Sequence, residues 1–144
     1  MSVRTLYLGP QPVQDRRLRI LLADDHPLIR KSVRQILDSY PRFEVCGEAH
    51  DGAEAIGEAQ RLKPDVVVLN ITMPVLNGME AAREITAKVP ESVIVILSSH
   101  ADKYFIEQAQ ESGARAYVLK TKAGEALVRA IETAVIGGDF VLVD

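Results

Sequence analysis

Short apolar segments alternate along the chain with longer segments whose apolar residues recur at helical spacing. Between Pro27 and Tyr40, apolar side chains recur every three or four residues, as on one buried face of a helix. The short segments begin 23–27 residues apart, which leaves room for one helix after each. They are rich in β-branched residues and predict five strands: Leu18–Ala23, Phe43–Ala49, Val66–Asn70, Val93–Ser98 and Ala116–Leu119.

Four of these strands are almost uninterrupted apolar runs, which is typical of parallel strands covered by helices on both faces. Phe43–Ala49 differs because Glu44 and Glu48 alternate with its apolar residues, so it is predicted at an edge of the sheet. Strands that alternate with helices form a parallel sheet with right-handed crossovers. The pattern therefore predicts an α/β fold of the doubly wound (βα)5 type over residues 18–138.

Two end segments lie outside this repeat. Residues 1–17 contain Gly9-Pro10-Gln11-Pro12 and are interpreted as a flexible N-terminal leader. Residues 139–144 form a short apolar tail, which is predicted either to pack against the domain or to begin a linker.

Composition narrows the classes of function. The 144 residues are 47% hydrophobic and 26% charged, as in an ordinary globular protein. The formal net charge of -3 argues against direct nucleic-acid binding by this chain, because such binding needs a basic surplus. A single cysteine suits a reducing cytoplasm, and the longest apolar runs are too short to span a membrane.

Polar residues lie where four of the predicted strands end. The carboxyl ends of parallel strands meet at one edge of the sheet, where α/β proteins bind their ligands. Carboxylates, an amide, hydroxyls and an ammonium group are therefore predicted to converge there: Asp24, Asp25, Asn70, Thr72, Ser98 and Lys120.

The adjacent carboxylates of Asp24 and Asp25 predict a cation site. Two neighbouring carboxylates repel each other, and both stay ionised near neutral pH only beside a cation. Oxygen ligands select hard divalent cations, and a site with few carboxylates suits Mg²⁺. A Mg²⁺ ion beside a lysine and a hydroxyl would neutralise and bind phosphoryl oxygens, so the edge indicates a phosphoryl pocket.

Five motifs, in this order, resemble the receiver domains of two-component response regulators, nearest to the NarL/LuxR-type class. They are Leu21-Leu22-Ala23-Asp24-Asp25-His26-Pro27, Asn70-Ile71-Thr72-Met73-Pro74, Asn77-Gly78, Ile96-Leu97-Ser98-Ser99-His100 and Ala116-Tyr117-Val118-Leu119-Lys120. The resemblance implies a flavodoxin-like three-layer sandwich with a parallel five-stranded sheet of order 2-1-3-4-5.

The resemblance also implies a Mg²⁺ ion and its ligands. Asp24 and Asp25 would form the acidic pair, with Asp25 the more direct ligand. Position 70 would add a side-chain ligand, and the backbone carbonyl of Thr72 would complete the protein's share of the metal shell.

Ser98 and Lys120 would act on the phosphoryl group itself. By the resemblance, Ser98 would donate a hydrogen bond to it, and Lys120 would pair with its negative charge. Tyr117 would be an aromatic switch that turns inward as Ser98 moves toward the phosphoryl oxygen. The face of the fourth helix, fifth strand and fifth helix would then pass on the signal.

Asn70 departs from the family's pattern, which has an aspartate as phosphoacceptor at this position. A carboxylate oxygen can attack phosphorus, whereas an amide is neutral and its nitrogen lone pair is delocalised. The chain is therefore predicted not to accept a phosphoryl group, and its Mg²⁺ binding is predicted to be weakened. Whether the asparagine is natural or was introduced stays open.

The resemblance implies partners as well. It implies a sensor histidine kinase upstream and a C-terminal DNA-binding effector domain in the full-length protein, with homodimerisation left open. Six residues follow Gly138, so this chain is expected to lack the effector. It is not expected to be an enzyme, because the family catalyses only its own phosphoryl uptake and loss.

Two other interpretations compete. An atypical receiver would act as a phosphate-independent interaction or dimerisation module, and it would gain no competence from Asn70→Asp. A flavin protein or phosphatase of similar fold is disfavoured. Asp24-Asp25 would repel a flavin phosphate, and a haloacid-type phosphatase needs a second aspartate two residues after its nucleophile.

Overall fold

The computed structural model describes residues 17–144, so the predicted leader, apart from Arg17, lies outside the described residues. The strands are β1 (Leu18–Ala23), β2 (Phe43–Ala49), β3 (Val66–Asn70), β4 (Val93–Ser98), β5 (Ala116–Leu119) and β6 (Val141–Val143). The helices are α1 (Pro27–Asp38), α2 (Gly52–Leu62), α3 (Gly78–Lys88), α4 (Lys103–Glu111) and α5 (Glu125–Ile136), with a short 3₁₀ helix over Lys120–Lys122.

All six strands are parallel and form one sheet with the order β2-β1-β3-β4-β5-β6. The doubly wound fold is confirmed, the order of the first five strands is the predicted one, and β2 lies at an edge. Residues on successive positions of a strand point to opposite faces, so each face of the sheet has its own core. One core packs Leu21, Leu69 and Ile96 under residues of α2, α3 and α4. The other packs strand residues such as Val68 under α1 and α5.

The prediction of a five-stranded sheet is wrong, because the C-terminal tail adds β6. The tail pairs with β5, with Ala116 opposite Val141 and Val118 opposite Val143. Phe140 packs against the core on one face, whereas Val141 and Val143 pack against the core on the other face. Packing against the domain, one of the two outcomes predicted for the tail, therefore buries apolar side chains on both faces of the sheet.

Local signals place the helices close to the strand ends. Pro27 occupies the first turn of α1, where a missing N–H costs nothing. Asn77 caps α3 and forms a reciprocal capping box with Glu80. A Cβ atom at Gly78 would lie 2.1 Å from the carbonyl oxygen of Asn70, so glycine allows α3 to start directly against the end of β3.

Candidate functional site

Five of the predicted site residues lie together at the carboxyl ends of β1, β3 and β5. This cluster, the acidic half of the site, consists of Asp24, Asp25, Asn70, Thr72 and Lys120. The Nδ2 atom of Asn70 donates a hydrogen bond of 2.7 Å to the backbone carbonyl oxygen of Thr72. The same nitrogen lies 3.4 Å from the Oδ1 atom of Asp24 and 3.4 Å from the Oδ1 atom of Asp25. Three oxygens from two loops thus surround one amide nitrogen.

Asp24 and Asp25 differ in burial and in partners. Asp24 is 2% exposed, whereas Asp25 is exposed. The Nζ atom of Lys120 lies 3.3 Å from the Oδ2 atom of Asp24. The backbone N–H of His26 donates a hydrogen bond of 2.9 Å to the other carboxylate oxygen. A buried carboxylate needs such partners, because removing its charge from water is otherwise costly.

The acidic half fits a hard divalent cation in its ligand chemistry. Carboxylate and carbonyl oxygens are the ligands that Mg²⁺ prefers, and an exposed position beside Asp25 leaves room for ligand waters. Within residues 17–144, no three His, Cys, Asp or Glu side chains are grouped as in a metal site. The acidic half supplies two carboxylates, and the third side chain that faces them is the neutral amide of Asn70.

Ser98, the last residue of β4, and Tyr117, within β5, form a separate unit with His100, the hydroxyl half of the site. The backbone N–H of His100 donates a 3.0 Å hydrogen bond to the Oγ atom of Ser98. The phenol of Tyr117 donates a 2.6 Å hydrogen bond to the backbone carbonyl of His100. Both Ser98 and Tyr117 are fully buried, so Tyr117 lies inside the fold.

The phenol of Tyr117 is held in its neutral form. Burial raises the pKa of Tyr117 above its ordinary value, and a hydrogen bond with Ser98 offsets part of that rise. The negative charge of Asp102 raises the pKa further. The side chains of Ser98 and Tyr117 are therefore uncharged and hydrogen-bonded, whereas the acidic half contains three charged side chains.

The structure brings five of the seven predicted site residues into direct contact and places the other two in the neighbouring unit.

The structure also reveals two side chains beside the site that sequence reasoning missed. Arg30 donates a 2.6 Å hydrogen bond to the backbone carbonyl of Asp24 and a 2.7 Å hydrogen bond to the Oε1 atom of Glu48. The sequence gives no clear signal for this pair, because Arg30 and Glu48 lie on different elements and resemble ordinary surface charges.

Comparison with known proteins identifies the class. The family described as response regulator receiver domain matches residues 20–132, and the chain belongs to this family. The transcriptional regulatory protein DegU of Brevibacillus brevis is 33% identical over 91% of this chain and 56% of its own length. The chain therefore spans little more than half the length of this relative.

Three further relatives show the range of proteins that carry such a domain. The crystal structure of a LuxR-family two-component response regulator from Aurantimonas is 35% identical, with a TM-score of 0.82, over 87% of this chain and 89% of that one. A protein-glutamate methylesterase/protein-glutamine glutaminase of Pyrococcus abyssi is 47% identical over 59% of this chain and 23% of its own length. The transcriptional regulatory protein LiaR of Bacillus subtilis is 35% identical over 81% of this chain and 56% of its own length. Among the described residues, no helix has the length and apolar character needed to cross a membrane.

Proposed function

We propose that this chain is the receiver module of a LuxR/NarL-type response regulator in which Asn70 occupies the phosphoacceptor position. The observation that carries this proposal is the place of the Asn70 amide. It lies at the end of β3 and faces Asp24, Asp25 and the Thr72 carbonyl, while Lys120 pairs with Asp24. An amide at that point cannot attack phosphorus, so the module does not accept a phosphoryl group.

The acidic half would hold Mg²⁺ through Asp24, Asp25, Asn70 and the carbonyl of Thr72. A bound Mg²⁺ ion supplies positive charge that neutralises phosphoryl oxygens. Asn70 contributes no negative charge, and in its present orientation its nitrogen, not its oxygen, faces the other ligands. Cation binding is therefore weaker than it would be with a third carboxylate.

Ser98 and Lys120 would act on an incoming phosphoryl group, Ser98 as a hydrogen-bond donor and Lys120 as a positive charge. Tyr117 would report the position of Ser98, because both side chains are hydrogen-bonded to the backbone of His100. The family does not act on a separate substrate, so the chain itself is not an enzyme.

The wider role follows from the relatives. The receiver domain would comprise residues 18–138, after a leader of residues 1–17 and before a tail of residues 139–144. A sensor histidine kinase would be the upstream partner, and a DNA-binding effector domain would be joined to the receiver in the full-length protein. The module would be cytoplasmic, and would itself bind neither nucleic acid nor membrane.

Intact mass measurement tests this proposal. The chain and its Asn70→Asp variant are incubated with Mg²⁺ and a small acyl phosphate. In the variant, a carboxylate oxygen would form a bond to phosphorus as the donor's carboxylate leaves. The variant is expected to gain the mass of one phosphoryl group and the unmodified chain to gain none. Uptake by the unmodified chain, or by neither protein, would contradict the proposal.

One observation favours the second candidate, a phosphate-independent interaction or dimerisation module. Tyr117 lies inside the fold, the inward position that the resemblance assigns to the switched state, and donates a hydrogen bond to the backbone carbonyl of His100. A module of this kind would present one surface permanently. It would be supported if Asn70→Asp with the phosphodonor left the oligomeric state and the mass unchanged.

A further inference from the structure

Arg30 joins two elements beside the acidic half. It lies in the first turns of α1, and its side chain is largely buried. Its Nη1 atom donates to the backbone carbonyl of Asp24 at 2.6 Å, and its Nε atom donates to the Oε1 atom of Glu48 at 2.7 Å. Glu48 belongs to the end of β2, so one guanidinium connects the β1–α1 loop with the edge strand.

We propose that Arg30 is a positioning residue that holds Asp24, and through it the acidic half, in place for cation binding. The inference rests on the proposed function, because it concerns the residues expected to bind Mg²⁺. Within residues 17–144, the hydrogen bonds and ion pairs of Arg30 do not include Asn70 or Lys120. Its effect would therefore pass through the main chain of Asp24.

The geometry requires a guanidinium. A guanidinium has rigidly arranged N–H donors that can serve two acceptors at once, whereas an ammonium group is a single point of charge. Glu48 is itself fixed from both sides, because Arg34 binds its second carboxylate oxygen. Arg30 thus binds an acceptor that cannot easily move.

Asp24 is attached to its surroundings at every polar group. Its backbone N–H donates a 3.0 Å hydrogen bond to the carbonyl of Ala49, and its carbonyl accepts from Arg30. Its carboxylate accepts from the backbone N–H of His26 at 2.9 Å and pairs with Lys120. Loss of the bond from Arg30 frees the carbonyl at the point where the chain leaves β1. Because the side chain of Asp24 is carried by this stretch of main chain, its carboxylate is then held less firmly in its direction.

If Arg30 acts by positioning Asp24, its removal should change the Mg²⁺ affinity in the opposite direction from that expected if only its charge matters. Arg30 is a positive charge near two carboxylates, so its removal should strengthen the attraction of Mg²⁺ if charge alone matters. If Arg30 positions Asp24, its removal should weaken Mg²⁺ binding despite that attraction. Outer residues that orient metal ligands typically contribute about 10- to 100-fold in metal affinity.

Arg34 provides the matched control. It binds the same carboxylate of Glu48 from the same helix but does not contact Asp24. Arg34→Gln removes the same charge as Arg30→Gln and leaves the bond between Arg30 and Asp24 available. Arg30→Lys keeps the positive charge and most of the aliphatic part of the side chain. It tests whether the two N–H donors of the guanidinium are needed to hold the Asp24 carbonyl and Glu48 at once.

The first measurement compares variants that retain Asn70 and needs no metal. Exchange of the His26 amide hydrogen with solvent is followed by NMR, since this N–H donates to the Asp24 carboxylate. Arg30→Gln and Arg30→Lys are expected to speed that exchange several-fold relative to an amide of the sheet core, such as that of Val68. Arg34→Gln is expected to leave the ratio unchanged. The same ratio of the His26 exchange rate to the Val68 exchange rate in all three variants would overturn the proposal.

The second measurement uses the Asn70→Asp background and Mg²⁺ alone, followed by titration calorimetry. Arg30→Gln is expected to weaken Mg²⁺ binding by about tenfold, and Arg34→Gln to leave it unchanged or slightly tighter. Tighter binding after Arg30→Gln would show that charge alone acts and would overturn the proposal. If the Asn70→Asp parent binds no Mg²⁺, the proposed function fails, and the exchange of the His26 amide still decides the role of Arg30.

Discussion

The acidic half and the hydroxyl half of the site are held together by different kinds of interaction. The acidic half gathers two carboxylates, an ammonium group and an amide, held mostly by contacts of 3.3 and 3.4 Å between charged or polar atoms. In the hydroxyl half, the side chains of Ser98 and Tyr117 are uncharged and fully buried, and hydrogen bonds of 3.0 and 2.6 Å join them to the backbone of His100. The first half should respond to changes of charge and the second to changes of shape.

The difference also predicts that an exchange between aspartate and asparagine at position 70 would affect the two halves unequally. Asn70 has nearly the same shape as aspartate but one negative charge less. Compared with aspartate, it is therefore expected to change the electrostatics of the acidic half and to leave the packing around Ser98 and Tyr117 unchanged. On the proposed function, a receiver of this kind keeps the shape of its switch while losing the chemistry that would operate it.

The largest expected effect concerns shape in the hydroxyl half. Tyr117→Ala removes a fully buried ring and should lower the free energy of unfolding by about 3–5 kcal/mol, the range for aromatic residues in cores. Tyr117→Phe, the control, keeps the ring and should lose about 1 kcal/mol for one hydrogen bond. Denaturant unfolding measures both. Equal losses would mean that the hydrogen bond to His100, rather than the shape of the ring, dominates this half.

Removal of positive charge from the acidic half should be next in size. In the Asn70→Asp background, Lys120→Ala is expected to slow phosphoryl uptake by about 10²-fold, because a donor for the developing charge is lost. In the unmodified chain it should have no effect on uptake, since none occurs. Lys122→Ala, two residues along the same short 3₁₀ helix, is the control. Intact mass followed over time measures the rates, and an equal slowing by both substitutions would contradict a specific role for Lys120.

Addition of a negative charge to the acidic half should have a comparable but smaller effect on stability. Asn70→Asp replaces an amide donor with a third carboxylate, and should lower the free energy of unfolding by about 1–3 kcal/mol without divalent cations. Mg²⁺ should restore most of this loss, because binding to the folded state stabilises it.

Asn77→Asp is the control for this charge. It adds the same charge at the exposed cap of α3, where aspartate caps as well as asparagine does. Thermal unfolding with and without Mg²⁺ measures both variants. An Asn70→Asp variant that is as stable as the parent without Mg²⁺ would show that the acidic half tolerates a third carboxylate.

The smallest expected effect concerns Glu48, which supports the acidic half through Arg30. Burial alone would raise the pKa of Glu48, but hydrogen bonds and charge from Arg34 and Arg30 outweigh it and lower the pKa below its ordinary value of 4.5. The carboxylate therefore stabilises the fold above about pH 4.5, and this contribution is lost as the pH falls through the lower folded value.

Glu48→Gln should accordingly reduce the decline of stability in acid by less than about 1 kcal/mol, because the pair is partly exposed. Unfolding measured from pH 6 down to about pH 3 tests this. Glu58→Gln is the control: Glu58 pairs with Arg61 on α2, whereas Glu48 pairs with both Arg30 and Arg34, so the change in the decline should be smaller. A larger change for Glu58 would indicate that the second arginine beside Glu48 adds nothing.

Much of the fold and most of the acidic half could be predicted from the sequence, because both depend on local pattern. Uninterrupted apolar runs such as residues 66–69 become central strands, since only a strand covered on both faces buries every side chain. Parallel strands bring their carboxyl ends to one edge, so Asp24, Asn70 and Lys120 meet there whatever the loops between them do.

The tertiary structure decided the features that depend on contacts between distant segments. Val141–Val143 is too short to be recognised as a strand, and it becomes one only because the edge of β5 offers unpaired backbone groups and two apolar cores to cover. Ser98 and Tyr117 are hydrogen-bonded to the backbone of His100, and these bonds have no sequence signal. The sequence thus determined which chemical groups reach the edge of the sheet. Three-dimensional packing decided which of them touch, because hydrogen bonds and ion pairs depend on distances that local pattern does not specify.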